Sequence, residues 1–295
     1  MTVNVEEITA KGKHVSWDLG DETKVDKIKL GFAQIVLGTG TLARLSPDYN
    51  TPKASLKASL DKHFRGRSYL VRPLKGADNR GYAIVREEIA GEENSASLDH
   101  GTLFEVTLET SSSMDPDFVE IEDNALTVEL EDSIRKEMKR QRGMCSRYML
   151  SKKLVNVVDA LHGVCVTGSG GMYSIPDRAI PIWDQVKKVI VDSGSGNKVN
   201  GYRVVFDDES CESTLNALTR SMDKEIERID EMVTDADVDM GKRALNTQTS
   251  RVRTLMNRLK GYEKMYGSKL TDTTKALKDL QGTLAVATVN VLSAD

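Results

Sequence analysis

Past Asp207 the chain almost stops using glycine and proline, and its apolar residues recur every three or four positions, a rhythm that only α-helices bury along one side. Leu215, Leu218, Met222, Ile226 and Ile229, followed by Met232 or Val233, make a heptad-like seam. A break at residues 234–239 separates this helix from a second over residues 241–266, which aligns Leu245, Val252, Leu255, Leu259, Tyr262 and Tyr266. After Gly267 a third helix carries Leu270, Leu277, Leu280 and Leu284. Helices of this length with short joints fold back on one another. Residues 208–295 are therefore expected to form an all-α arm, a helical hairpin or coiled coil of two or three antiparallel helices.

Charge is segregated along this arm. Residues 209–240 hold ten acids against three bases, and residues 241–278 hold ten bases against two acids. Antiparallel packing would set an acidic flank beside a basic one, and charge pairs of this kind choose partner and register more than they add stability. The pairing serves equally well within one chain or between chains, so Leu215, Leu218, Met222, Ile226, Ile229, Leu255, Leu259 and Tyr262 are candidate residues of an oligomer or partner seam.

Ahead of the arm the pattern is mixed. A short strand is expected near residues 15–19, and a first helix over residues 24–37, where Val25, Ile28, Phe32, Ile35 and Val36 share a face before Gly38 and Gly40. A second helix spans residues 52–64. Runs rich in Val, Ile, Leu and Tyr at residues 68–73, 82–89, 104–108 and 125–130 read as strands, while Asp115, Pro116 and Asp117 read as a loop. Residues 1–130 are thus an α+β domain, two helices against a mostly antiparallel sheet.

Residues 131–159 turn helical again, and between 135 and 153 eight cations face the single acid Glu137: Arg135, Lys136, Lys139, Arg140, Arg142, Arg147, Lys152 and Lys153. Ser151 is placed as the cap of a helix bearing Leu154, Val157, Val158 and Leu161 that stops at Gly163. Apolar stretches 164–167 and 172–175 then flank Gly168, Ser169, Gly170 and Gly171, the mark of a tight hairpin. Pro176 and Asp177 open a further helix to residue 191, and the run 202–206 completes the segment. A helix followed by a glycine-tipped hairpin outlines a winged-helix-like module over residues 131–207. Basic residues that neutralise phosphates, beside a small-residue wing, make nucleic acid a candidate partner.

Site chemistry is hard to find. Gly168–Gly171 lacks the Lys and Ser or Thr that a phosphate-binding loop requires, and continues as a strand. Asp235, Asp237 and Asp239 alternate like the first calcium ligands of a helix-loop-helix site, but Met240 and Asn246 stand where glycine and glutamate are needed. His162 and Cys165 are the one close His and Cys pair, too few for zinc, and His14, His63 and His100 lie apart. With no nucleophile signature either, the reading is of a non-enzyme with no cofactor. Cys145, Cys165 and Cys211, an odd and widely spaced set, fit a reducing compartment. No apolar run reaches the roughly 18 residues a membrane span needs, and a cytoplasmic location without membrane contact is expected.

At residues 154–176, with His162-Gly163 after the helix and Gly170-Gly171-Met172-Tyr173-Ser174-Ile175-Pro176 closing the hairpin, the chain resembles an uncharacterised family of phage and plasmid proteins. Arg258-Leu259-Lys260-Gly261-Tyr262 is similar to their late helix. The likeness covers about half the chain, implies a viral or mobile-element origin, and brings no catalytic residue with it. The leading expectation is a phage-type protein that oligomerises and engages a protein complex, inhibition of a host defence system being one form of that role. The alternative is nucleic-acid binding through the basic helix and wing.

Overall fold

The computed structural model describes residues 12–64, 69–75, 80–87, 100–167, 170–203, 208–234, 241–266 and 270–294. The chain opens with β1 (Gly12–Asp18) and β2 (Glu22–Lys24), then α1 (Val25–Gln34), which buries Val25, Ile28 and Phe32. This helix stops at Gln34 rather than at residue 37. Val36 and Leu37 leave it for a two-residue hairpin of β3 (Val36–Leu37) and β4 (Gly40–Thr41), whose turn holds Gly38 at a φ of 60°.

α2 (Pro52–Phe64) has the expected bounds, with proline in the first turn where its missing amide costs nothing. Four antiparallel strands follow in spatial order: β5 (Tyr69–Pro73), β6 (Gly81–Glu87), β7 (His100–Leu108) and β8 (Pro116–Glu120). Residues 115–117, expected as loop, lead into β8, because an edge strand tolerates proline as its first residue. Residues 125–130, expected as a strand, instead turn into α3 (Val128–Arg142). There Thr127 accepts from the Leu130 amide, and Glu129 and Glu131 lie at the positive end of the helix.

The helical pattern from 131 to 159 is two helices. α3 gives way at Gly143 to β9 (Met144–Cys145), which pairs with β2, and α4 (Arg147–Ala160) begins afresh. Its cap is Ser146, whose hydroxyl accepts from the Met149 amide, while Ser151 lies inside the helix. α4 ends with His162 at a φ of 62°; the His162 amide donates to Asp159 O at 2.9 Å and the Gly163 amide to Val158 O at 2.8 Å. This double bond pattern satisfies the last carbonyls of the helix. A side chain at Gly163 would strike Val158 and the Ser174 carbonyl.

β10 (Val164–Cys165) and β11 (Tyr173–Pro176) are the expected hairpin, and Gly170 and Gly171 hold φ of 89° and 96°. Gly168 and Ser169 lie outside the described residues. β11 also pairs with β1, giving a sheet of order β10-β11-β1-β13, so the hairpin is one end of a larger sheet. A 3₁₀ turn at Asp177–Ala179 leads into α5 (Ile180–Ser193), then β12 (Gly194–Ser195) and β13 (Lys198–Arg203). The rest of the run to Phe206 falls outside the described residues. The arm is α6 (Asp208–Thr234), α7 (Lys242–Tyr266) and α8 (Thr271–Ala294). Asp235, Asp237 and Asp239, between α6 and α7, are also outside the described residues.

Two compact units result, one from residues 1–17, 154–185 and 199–295, the other from residues 18–153 and 186–198. The units are interleaved in sequence, because pairing joins distant stretches: β1 enters the sheet of the hairpin, and Asn197 bonds back to Gly20 and Thr23. In the second unit Leu56, Leu60 and Phe64 of α2, Ile134 and Met138 of α3, and Tyr82, Ile84, Phe104 and Val106 of the β5–β8 sheet share one core. In the first unit the arm helices and Val164 of β10 share one core.

Candidate functional site

The apolar seam closes within one chain. Leu218, Met222 and Ile229 of α6, Leu255, Leu259 and Tyr262 of α7, and Leu277, Leu280 and Leu284 of α8 are buried in a single cluster, with Ile226 packed at its margin and Leu215 half-buried. Every seam residue named from the sequence is thus on these helices, and most face one another inside the arm. Burying such side chains stabilises by roughly 1.5–3 kcal/mol each, which accounts for three helices folding back on one another.

The arm meets the rest of its unit through Val164 of β10, which is buried in the same apolar cluster, and through polar bonds. Arg258 of α7, 6% exposed, donates through Nη2 to the Asp159 carbonyl at 2.9 Å and to Asp159 Oδ1 at 2.5 Å. One turn later the Tyr262 hydroxyl donates to the His162 carbonyl at 2.8 Å. A cation and a hydroxyl therefore meet the negative end of α4, where such groups are favoured. Burial, then the nearby Arg258 and Arg178 charges, push the His162 imidazole below its ordinary value.

The charges of α6 and α7 are little used between those two helices. α6 carries eight acids against three bases and α7 seven bases against one acid, a balance of −5 beside +6. Among the described residues one ion pair joins them, Arg251 to Glu225 at 4.0 Å, and Glu225 is already held by Arg228 at 2.8 Å. Glu227, Asp230 and Glu231 on α6, and Arg253, Lys260 and Lys264 on α7, are exposed.

Between α6 and α7 lies an open cleft of about 970 Å³. Lys242, Arg243, Arg251 and Arg258 line it, interspersed with Asn246, Thr247, Ser250 and Thr254 from the same face of α7, Ser221 and Glu225 from α6, and Asp159. Lys242 and Arg243 stand in the first turn of α7, which has no acid. That end of a helix is partially positive, so two cations there oppose its dipole. The sequence reading counted these cations in the arm's charge balance without singling them out; the legible signal was two bases opening a helix with no acid beside them.

Half of the cations of the basic segment 135–153 are committed to acids of their own unit. Arg135 bonds Glu131 at 2.8 Å and Asp115 at 3.2 Å and lies over the Phe118 ring; Arg147 pairs with Asp21 at 2.6 Å, and Lys153 with Asp48 at 3.5 Å. Arg140 bridges Glu137 at 2.6 Å and Glu22 at 2.7 Å. Burial alone would push the Glu137 carboxyl up, but hydrogen bonds from Arg140 and Gln141, with the Arg140 charge, bring it from 4.5 down to about 2. Lys136, Lys139 and Lys152 are exposed and Arg142 half-buried, and none of the four has an ion pair among the described residues. Half of the eight cations therefore serve internal bridges.

Among the described residues no three His, Cys, Asp or Glu side chains gather as metal ligands, and no helix is long and apolar enough to cross a membrane. A family model described as a family of unknown function (DUF6744) matches residues 12–292. No curated protein and no solved structure matches the chain.

Proposed function

The chain belongs to this family of unknown function, and from that premise we propose that it is a non-enzymatic assembly protein of phage or mobile-element type, working in the cytoplasm. It joins further copies of itself through the charged flanks of the arm and presents the assembled arms to a protein complex. The observation that carries this reading is the −5 and +6 balance of α6 and α7 with, among the described residues, a single 4.0 Å pair between them. Because the leucine seam is closed within the chain, the exposed charge is what remains to select a partner. A two-fold arrangement sets α6 of each copy against α7 of the other, so both flanks are matched at once. The origin rests on the resemblance at residues 154–176.

Mass photometry of the full chain at low and high salt tests the reading. Assemblies larger than one chain at low salt that dissociate as salt screens the flanks are the expected result. Monomers at every salt concentration would remove it.

The alternative, nucleic-acid binding by the basic segment with the β10–β11 hairpin as a wing, is supported by the exposed Lys136, Lys139 and Lys152. It is weakened by the carboxylates already bound to Arg135, Arg140, Arg147 and Lys153.

A further inference from the structure

His162 sits where the arm is fastened to the end of α4. Its backbone takes the left-handed form that closes the helix, at a φ of 62°, and its carbonyl accepts the Tyr262 hydroxyl of α7 at 2.8 Å. The imidazole of the same residue is half-buried, and its Nδ1 is buried without a hydrogen-bond partner among the described residues.

The charges around the ring are unevenly matched. Three groups act on it: Arg258 from α7, Arg178 from the turn that precedes α5, and Asp159 from α4 itself. The Arg178 guanidinium lies close against α7, since a methyl at Gly261 would stand 3.1 Å from its Nη2. Asp159 is already engaged, taking Arg258 Nη2 on both its carbonyl and its side chain. Two cations from two elements therefore face the ring, against one carboxylate that Arg258 already holds. Protonation would place a third positive charge among them. It would also make both ring nitrogens donors, so that the buried Nδ1 carries a hydrogen with no acceptor.

We infer that His162 is a proton-operated latch on the arm: neutral, it lets α7 dock on the end of α4, and protonated, it drives Arg258 and Tyr262 off that end. Burial, then the Arg258 and Arg178 charges, hold the docked imidazole below its ordinary 6.5. The docked state thus binds the proton less well than the released one, and so loses ground wherever the released imidazole is protonated. Docking is complete above about pH 6.5 and weakens on acidification, by about tenfold per pH unit until the lowered value is reached. This inference goes beyond the assembly reading and does not depend on it, since the latch lies within a single chain.

The test titrates the full chain with acid and reads two signals, the His162 ring resonance by NMR and amide exchange in α7 around Tyr262. Exchange is expressed as protection factors, which removes its intrinsic pH dependence. The ring should titrate below 6.5, and protection around Tyr262 should fall at least about tenfold over the same interval, while amides of β6 in the other unit keep theirs. His162→Asn removes the titrating group and suits the left-handed backbone, so it should retain protection at the lower pH. The coincidence of the two parent curves is read without any variant. Four results would overturn the inference: a ring that titrates at or above 6.5, protection that does not change as the ring titrates, an equal loss in β6, or the same acid loss in His162→Asn, which would move the response to Asp159 or another carboxylate.

Discussion

Asn197 shows how much one polar side chain can organise. It is 5% exposed, its amide nitrogen donates to Ile190 O at 2.9 Å and to Thr23 Oγ1 at 3.1 Å, and its oxygen accepts from the Gly20 amide at 2.9 Å. Replacing it by alanine strands the buried Ile190 carbonyl and Thr23 hydroxyl and the half-buried Gly20 amide, so Asn197→Ala should lower stability by about 3 kcal/mol, read as a drop in the urea midpoint with an unchanged slope. Glu137 is the second such residue. Its carboxyl titrates at about 2 in the folded chain against an ordinary 4.5, so its stabilisation is complete above 4.5 and is lost as the pH falls toward 2. Glu137→Gln should cost about 2 kcal/mol at neutral pH, and its stability curve should meet that of the parent near pH 2. Neither role was legible in the sequence. Glu137 stood out only as the lone acid in a basic stretch, and an asparagine in a glycine-rich turn carries no sign that residues near position 20 will reach it. Long-range hydrogen bonds leave no periodicity to read.

Elements were legible in proportion to their periodicity. α2 and the arm helices follow from leucine and glycine spacing, because a helix with one buried face must repeat every three to four residues. β8 and the start of α3 were not, since Pro116 disguises an edge strand and Val128, an exposed residue of a first helical turn, looks like strand content. β9 interrupts what composition alone joins into one helix. The hairpin after α4 was legible from its glycines, while its place in a sheet with β1 and β13 depended on a partner more than a hundred residues away in sequence. Gly163 ties these elements together. Gly163→Ala forces a methyl against Val158 and the Ser174 carbonyl at the end of α4, and should cost about 1–3 kcal/mol. Because the Tyr262 hydroxyl is bonded one residue away, at the His162 carbonyl, the same change should raise amide exchange in α7 around Tyr262.

At the scale of the molecule, apolar burial and charge do different work. The leucines of α6, α7 and α8 hold one chain's arm together, and the cations opening α7 line its cleft. In the proposed assembly the exposed acids of α6 and bases of α7 face another molecule. Segregation of charge was plain in the sequence; whether the seam would close within a chain was not, because a heptad pattern is the same for intramolecular and intermolecular packing. The most direct measurement is a charge exchange followed by mass photometry at low salt. Glu227→Lys/Glu231→Lys and Arg253→Glu/Lys260→Glu should each give monomers, and a chain carrying all four changes should assemble again, because the flanks match once more with their signs reversed. If both double variants assemble like the parent, the charged flanks are not the contact and the account of the arm as an electrostatic docking element is wrong.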